Sequence, residues 1–154
     1  MKKPINLKLT PEGYQNLLDE QKALTESRPG VLKSMVEARE QGDLSENAGY
    51  HAAKEKLGYI DSRLRSLKLM IRFADVVKGE DSKTVTFGNT VVIAGPDGEQ
   101  AFTIVSAMEA DPKVGKMSDK SPIGMALLNR RVGETVEIDV PDGKISFKIL
   151  EVKI

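Results

Sequence analysis

The sequence predicts an α+β chain in two parts. Residues 1–77 read as an N-terminal antiparallel two-helix coiled coil, and residues 84–154 as a small β-rich domain with one short helix. Three observations predict this. Apolar residues in the first half recur in steps of three and four. Past Asp75 the period falls to two, and Val, Ile, Thr and Phe dominate. Between two long helical patterns lies only "GDLSENAGY" (42–50), a connection so short that the second helix must run back along the first.

The first helix opens at "LTPEGY", with Thr10 as N-cap, Pro11 at the first helical position and Glu12 near the positive end of the dipole. Its seam runs Tyr14, Leu17, Gln21, Leu24, Arg28, Val31, Met35, Ala38, with Gln21 and Arg28 as polar interruptions. Arg28 is expected to snorkel. Beside it, Pro29 costs about 3 kcal/mol inside a helix and Gly30 about one more, so a kink or local break is expected, with helix resuming by Val31. The second seam is cleaner: Ala53, Leu57, Ile60, Leu64, Leu67, Ile71, Ala74 in strict four-three alternation, the mark of a left-handed supercoil. Both stripes are narrow, as suits an arm standing mostly in water. About 28 residues of helix at ~1.5 Å each carry the tip roughly 40 Å from the base.

"KGEDSK" (78–83), polar and glycine-containing, is the expected linker. Beyond it "KTVTF", "TVVIA", "AFTIVS", "ETVEIDV" and "KISFKILEVKI" alternate as strands do. "GPDG" (95–98) and "PDG" (141–143) mark turns between them. "SPIGMALL" reads as the one short helix, with Ser121 as N-cap and Pro122 at its first position.

Composition narrows the function classes. The 154 residues are 40% hydrophobic and 30% charged, an ordinary globular profile. Without cysteine, disulfides and thiolate metal sites are excluded. No stretch approaches the roughly 18 apolar residues of a membrane span, and a cytoplasmic location is expected. Residues 1–78 carry 14 Lys/Arg against 11 Asp/Glu, and residues 79–154 carry 9 against 12. This +3/−3 asymmetry permits a phosphate-facing first half but is too mild for a stand-alone nucleic-acid binder.

The loop between the helices carries the chemistry. "D-L-S-E" has capping-box spacing, in which Asp43 caps the second helix, Glu46 reaches back, and Gly42 ends the first helix in a left-handed conformation. The same acids suit a second role. Mg²⁺ takes oxygen ligands, keeps several waters, and is often held by one or two carboxylates plus substrate phosphates. Asp43 and Glu46 at an exposed tip cannot enclose an ion, but they can complete a site inside another macromolecule. Two ions about 3.5–4 Å apart then activate a water and stabilise a leaving oxygen. The two roles are compatible.

"LTPEGYQNLLDEQKAL", "RPGVLKSMVEAREQGDLSENAGYHAAKE", "FGNTVVI" and "EADPKVGKMSDKSPIGMALLNRRVGE" together resemble the GreA/GreB family of bacterial transcript-cleavage factors, in the same order and over essentially the whole chain. The resemblance implies an FKBP-like C-terminal domain that grips the rim of RNA polymerase's secondary channel. It implies a coiled coil inserted so that its tip reaches the catalytic centre. There it would stimulate the polymerase's own hydrolysis of backtracked RNA, leaving a fresh 3′ end. The factor itself would be no stand-alone nuclease. Asp43 and Glu46 become the acids that share Mg²⁺ with the polymerase and position water, with Ser45 and Asn47 as hydrogen-bonding support. Ser121, Pro122 and Ile123 become candidate polymerase contacts. No ion would be held stably by the isolated chain, which is expected to be a monomer. The modest basic charge favours the GreA side of the family. Gly49 departs from the pattern, since the family usually has an acid before the tyrosine, and weaker cleavage would follow if that acid recruits ions.

Other residues are weighed on their own chemistry. His51 has no partner at metal-ligand spacing and reads as an exposed helix residue. Tyr50 suits stacking on a base or packing across the hairpin equally. Arg65, Lys68 and Arg72 share a helix face and are candidate RNA contacts, with plain solvated surface the alternative; Lys2, Lys3 and Lys8 form a second cluster. Two competing functions remain. One is a regulator that occupies the channel without cleaving, for which Gly49 is the support. The other is a prolyl isomerase, which needs an aromatic-lined pocket and finds only Phe87, Phe102 and Phe147, all easily consumed as core.

Overall fold

A computed structural model of the chain describes residues 7–42 and 47–154. Two compact units emerge: Tyr14–Ala74 with Leu7, and Asp75–Ile154 with Lys8–Gly13.

Two long helices, α1 (Pro11–Glu40) and α2 (Ala48–Phe73), supply the first unit. The alternation of three and four steps does what it predicts. Every seam position from Tyr14 to Ala38 and from Ala53 to Ala74 is buried or half-buried, and most flanking positions face solvent. Leu17, Val31, Ile60 and Leu67 are the deepest, each worth about 1.5–3 kcal/mol on full burial. Towards the tip, small side chains leave an open groove lined by Gly30, Val31, Ser34, Ala52, Ala53 and Lys56.

Two expectations for α1 change in the structure. Of the kink or break expected at Pro29 and Gly30, the break is absent: the helix is continuous from Pro11 to Glu40. Proline removes one hydrogen bond, but its neighbours are held from the other helix: Val31 is buried in the seam and Arg28 is ion-paired. Nor does Arg28 merely snorkel. Its Nε donates to Asp61 Oδ1 at 2.7 Å and its Nη2 to Oδ2 at 3.3 Å. A second fork joins Arg63 to Glu20 at 2.6 and 2.9 Å. Tertiary contacts override local propensity here.

In the second unit a five-stranded sheet has the order β5-β4-β3-β7-β6. Its strands are β3 (Thr90–Gly95), β4 (Gly98–Val105), β5 (Lys116–Ser118), β6 (Thr135–Val140) and β7 (Gly143–Lys153). All neighbours pair antiparallel except β4 and β5. Alternation puts Val91, Ile93, Ile104, Val136 and Ile149 into one core with Val85 and with Leu127 of α3 (Pro122–Leu127). A bulge opposite Val92/Ile93 leaves Leu150 out of the ladder and exposed. α3 starts as expected: Ser121 accepts from Gly124 N–H at 3.1 Å, with Pro122 first in the helix.

"KTVTF" is not a strand, although Val85 and Phe87 are buried as its alternation requires. Side chains take two of its donors: Asn89 Oδ1 accepts from Thr86 N–H at 2.8 Å and Ser82 Oγ from Thr84 N–H at 3.2 Å, while Val85 N–H donates to the Arg130 carbonyl at 2.8 Å. Only a Thr84–Arg131 bridge remains. Three short strands carry too few residues to show a period: β5, β1 (Leu7–Leu9) and β2 (Ala74–Val76), the last two forming their own two-stranded sheet.

Candidate functional site

The hairpin tip is built from its two flanks. α1 ends at Glu40, and Gly42 takes φ of 138°, a range glycine enters at little cost. α2 begins at Ala48 with Asn47 as its N-cap, the side-chain Oδ1 accepting from Tyr50 N–H at 2.9 Å. Asn47 also reaches backward, its Nδ2 donating to the carbonyl of Ala38 at the end of α1. That carbonyl accepts from Gln41 N–H as well, at 3.2 Å. One amide therefore caps one helix and ties it to the other.

This corrects the capping-box reading, in which Asp43 caps the second helix. The helix starts later, and the cap is Asn47. Its side chain, expected to give hydrogen-bonding support to the acids, is committed to the hairpin itself. Asp43, Ser45 and Glu46 lie outside the described residues. In sequence they stand between Gly42 and Asn47. The first turn of α2 carries no acid, Gly49 standing there, and a Cβ at Gly49 would meet only ordinary contacts at 3.5 and 3.9 Å.

Behind the tip, Tyr50 is half-buried, with its ring edge-on to His51 at 5.5 Å and Lys54 Nζ 6.0 Å from its centre. Arg65, Lys68 and Arg72 are all exposed on one face of α2. Arg72 lies against the Phe73 ring at 5.4 Å, and Arg65 helps hold Asp61 ionised. The charge pairs along the hairpin shift their members in opposite directions. The hydrogen bond from Arg28 holds the Asp61 carboxyl below its ordinary value, and Arg63 does the same to Glu20. Both guanidinium groups are pushed up in return.

In the second unit the predicted trio Ser121, Pro122 and Ile123 divides. Ser121 is spent on the cap and on the carbonyl of Ser118 at 2.7 Å. Ile123 packs on the core. Pro122 is exposed, and so is Met125 on the same helix. Among the described residues no cluster of three His, Cys, Asp or Glu could hold a metal ion, and no helix is long and apolar enough to cross a membrane.

Sequence reasoning missed Asn47's clasp on Ala38 and the acid partners of Arg28 and Arg63. The signal for the ion pairs was present as charges beside both seams, but their register across the hairpin was not.

Comparison with known proteins covers both units. Residues 7–76 match the family model "Transcription elongation factor, N-terminal", and residues 80–154 match "Transcription elongation factor, GreA/GreB, C-term". Among curated proteins, transcription elongation factor GreA of Caldanaerobacter subterraneus subsp. tengcongensis is 42% identical over 158 positions, covering 99% of each chain. GreA of Bacillus cereus strain AH187 is 43% identical over 150 positions, covering 94% of this chain and 95% of its own. Among solved structures, GreA factor homolog 1 (Gfh1) of Thermus thermophilus is 28% identical with a TM-score of 0.44, covering 97% of this chain and 99% of its own.

Proposed function

The chain belongs to the GreA/GreB family of transcription elongation factors, and from that premise we propose that it stimulates RNA polymerase to cleave backtracked transcripts at their 3′ ends. In this reading the hairpin enters the polymerase's secondary channel, the second unit holds the channel rim, and cleavage frees arrested complexes.

The observation that supports the reading is the closure of the hairpin on either side of the acids. Asp43 and Glu46 lie in sequence between α1 and α2, and Asn47 both caps α2 and donates to the Ala38 carbonyl of α1. Two acids carried between clasped helices suit presentation inside another protein's cavity, where positioning decides the rate. The donor set fits Mg²⁺: two carboxylates are hard oxygen ligands, too few to complete an octahedron, so the polymerase and the RNA phosphate must supply the rest. When bound, such an ion lowers the pKa of its water and offsets charge on the leaving oxygen. The chain's own part is narrower. Asp43 and Glu46 would supply ligands and orient the water, Ser45 would add a hydrogen-bonding group, and Asn47 closes the hairpin next to them in sequence. Arg65, Lys68 and Arg72 face outward along the arm and suit phosphate contact. Pro122, exposed beside the half-buried Ile123, is the member of its trio best placed to touch the rim.

Purified polymerase stalled in a backtracked state tests this. The wild-type chain is expected to shorten the transcript in Mg²⁺. Asp43→Asn and Glu46→Gln should each lower that rate by about 10²-fold or more while binding persists. Full cleavage by the double variant would refute the assignment. Slowed elongation with no shortening by wild type would instead favour a channel-occupying regulator, for which the acid-free first turn of α2 is the supporting observation.

A further inference from the structure

The root of α1 is held by a residue that lies 99 positions away from Thr10 in sequence. Thr10 N–H donates to Glu109 Oε2 at 3.1 Å, and the Thr10 hydroxyl donates to Oε1 of the same carboxylate. That hydroxyl also accepts from Gly13 N–H at 3.1 Å, so Thr10 relays between the first turn of α1 and Glu109. Ser106 Oγ donates to Oε2 at 3.0 Å from the other side. Thr10, Gly13 and Ser106 are all buried, and Glu109 is half-buried between them.

Gly13 shows how close the approach is. A Cβ there would meet Glu109 Oε1 at 2.0 Å. Glycine is needed at this position for room, not for an unusual backbone angle. The helix's first-turn acid, Glu12, is engaged separately with Lys116 Nζ at 2.9 Å. Glu109 therefore holds Thr10, the cap of a 30-residue helix, from outside that helix, and places a negative charge near its positive end.

We propose that Glu109 is a positioning residue for transcript cleavage: by clasping Thr10 it fixes the first turn of α1, the helix that leads to the acidic tip. This rests on the cleavage reading above. The lever is long. At ~1.5 Å per residue α1 spans about 45 Å, so a tilt of about 3° at its root moves its far end by about 2 Å. Misplacement by roughly 1 Å can cost about 10²-fold in a reaction that depends on alignment. A loosened clasp thus lowers the saturated cleavage rate more than it lowers affinity for the polymerase.

The test measures cleavage by backtracked polymerase over a range of factor concentrations for the full chain, Glu109→Ala, Glu109→Gln, Gly13→Ala and the double variant Glu109→Ala/Gly13→Ala. Glu109→Ala should lower the maximal rate roughly 10-fold or more with the half-saturating concentration changed less than about 3-fold. Glu109→Gln keeps one carbonyl acceptor and should fall between it and wild type. Gly13→Ala displaces the carboxylate and should behave like Glu109→Ala. In the double variant the second change has nothing left to displace and should add nothing. Amide exchange at Thr10 and Gly13 should quicken in each variant while the amides of α2 keep their protection. Should Glu109→Ala prove unfolded by melting, Glu109→Gln and Gly13→Ala decide. Wild-type maximal rates in the folded variants, or full recovery at saturating factor, would overturn the proposal while leaving the cleavage reading intact. A wild-type chain that cleaves nothing would overturn both.

Discussion

Asn47, Arg28 and Glu109 share a property that no local pattern displays, since each holds a residue of another element. Asn47 caps α2 as an asparagine commonly does, and its grip on Ala38 exists because the hairpin closes. Arg28 looks like a lapse in the seam, and its partner Asp61 makes that lapse specific. The two carboxylates paired to arginine, Asp61 and Glu20, titrate lower in the folded chain than their ordinary values of 3.8 and 4.5. The unfolded chain therefore binds more protons in acid. The stability these groups contribute is present above the ordinary values and is lost as pH falls through the lower, folded ones. Both pairs are about a third exposed, so the effect is that of a screened surface bridge. Glu20→Gln should cost a few tenths to about 1 kcal/mol at pH 7 and less at high salt. Urea midpoints followed from pH 7 to pH 3 should drop less steeply for Glu20→Gln and Asp61→Asn than for wild type.

At the scale of elements, α1 and α2 form against some of their own residues. Pro29, Gly30 and Gly58 all lie inside helices and on exposed faces, and a Cβ on either glycine would meet nothing within 4 Å. Gly30→Ala and Gly58→Ala should each raise stability by about 0.5–1 kcal/mol, and Pro29→Ala by up to about 3 kcal/mol. The second unit reverses the sign. A Cβ on Gly124 would lie 2.0 Å from the carbonyl oxygen of Ser118, a backbone atom that cannot turn aside. Gly124→Ala should destabilise by about 2 kcal/mol or more, the usual penalty for overpacking. Denaturant melts of the four variants check all of these. Periodicity identified α1, α2 and the longer strands because each has enough residues to repeat a pattern, while the six-residue α3 was legible only from Ser121 and Pro122 at its start. Periodicity missed β1, β2 and β5, which are three residues each, and it overread "KTVTF", two of whose donors are taken by side chains.

For the whole molecule, the second unit does not begin where its own strands begin. Lys8–Gly13 belong with it, Leu9 is wholly buried, and Val77 N–H donates to the Leu9 carbonyl at 2.8 Å. A fragment spanning 84–154 should therefore melt several degrees below the same unit in the full chain, at roughly 4–8 °C per kcal/mol lost for a domain of this size. Equal melting temperatures by calorimetry would show that the N-terminal residues contribute nothing to it. By itself the sequence determined the two-part architecture, both helical seams, the caps at Thr10 and Ser121 and the presence of paired acids between the helices, because each of these is written in the spacing of near neighbours. Only the tertiary structure decided that α1 runs unbroken through Pro29, that Asn47 locks the hairpin, that Arg28 and Arg63 take acid partners, and that Glu109 seats the first turn of α1. Those outcomes depend on which distant residues meet once the chain has folded back on itself, and a linear pattern carries no record of that register.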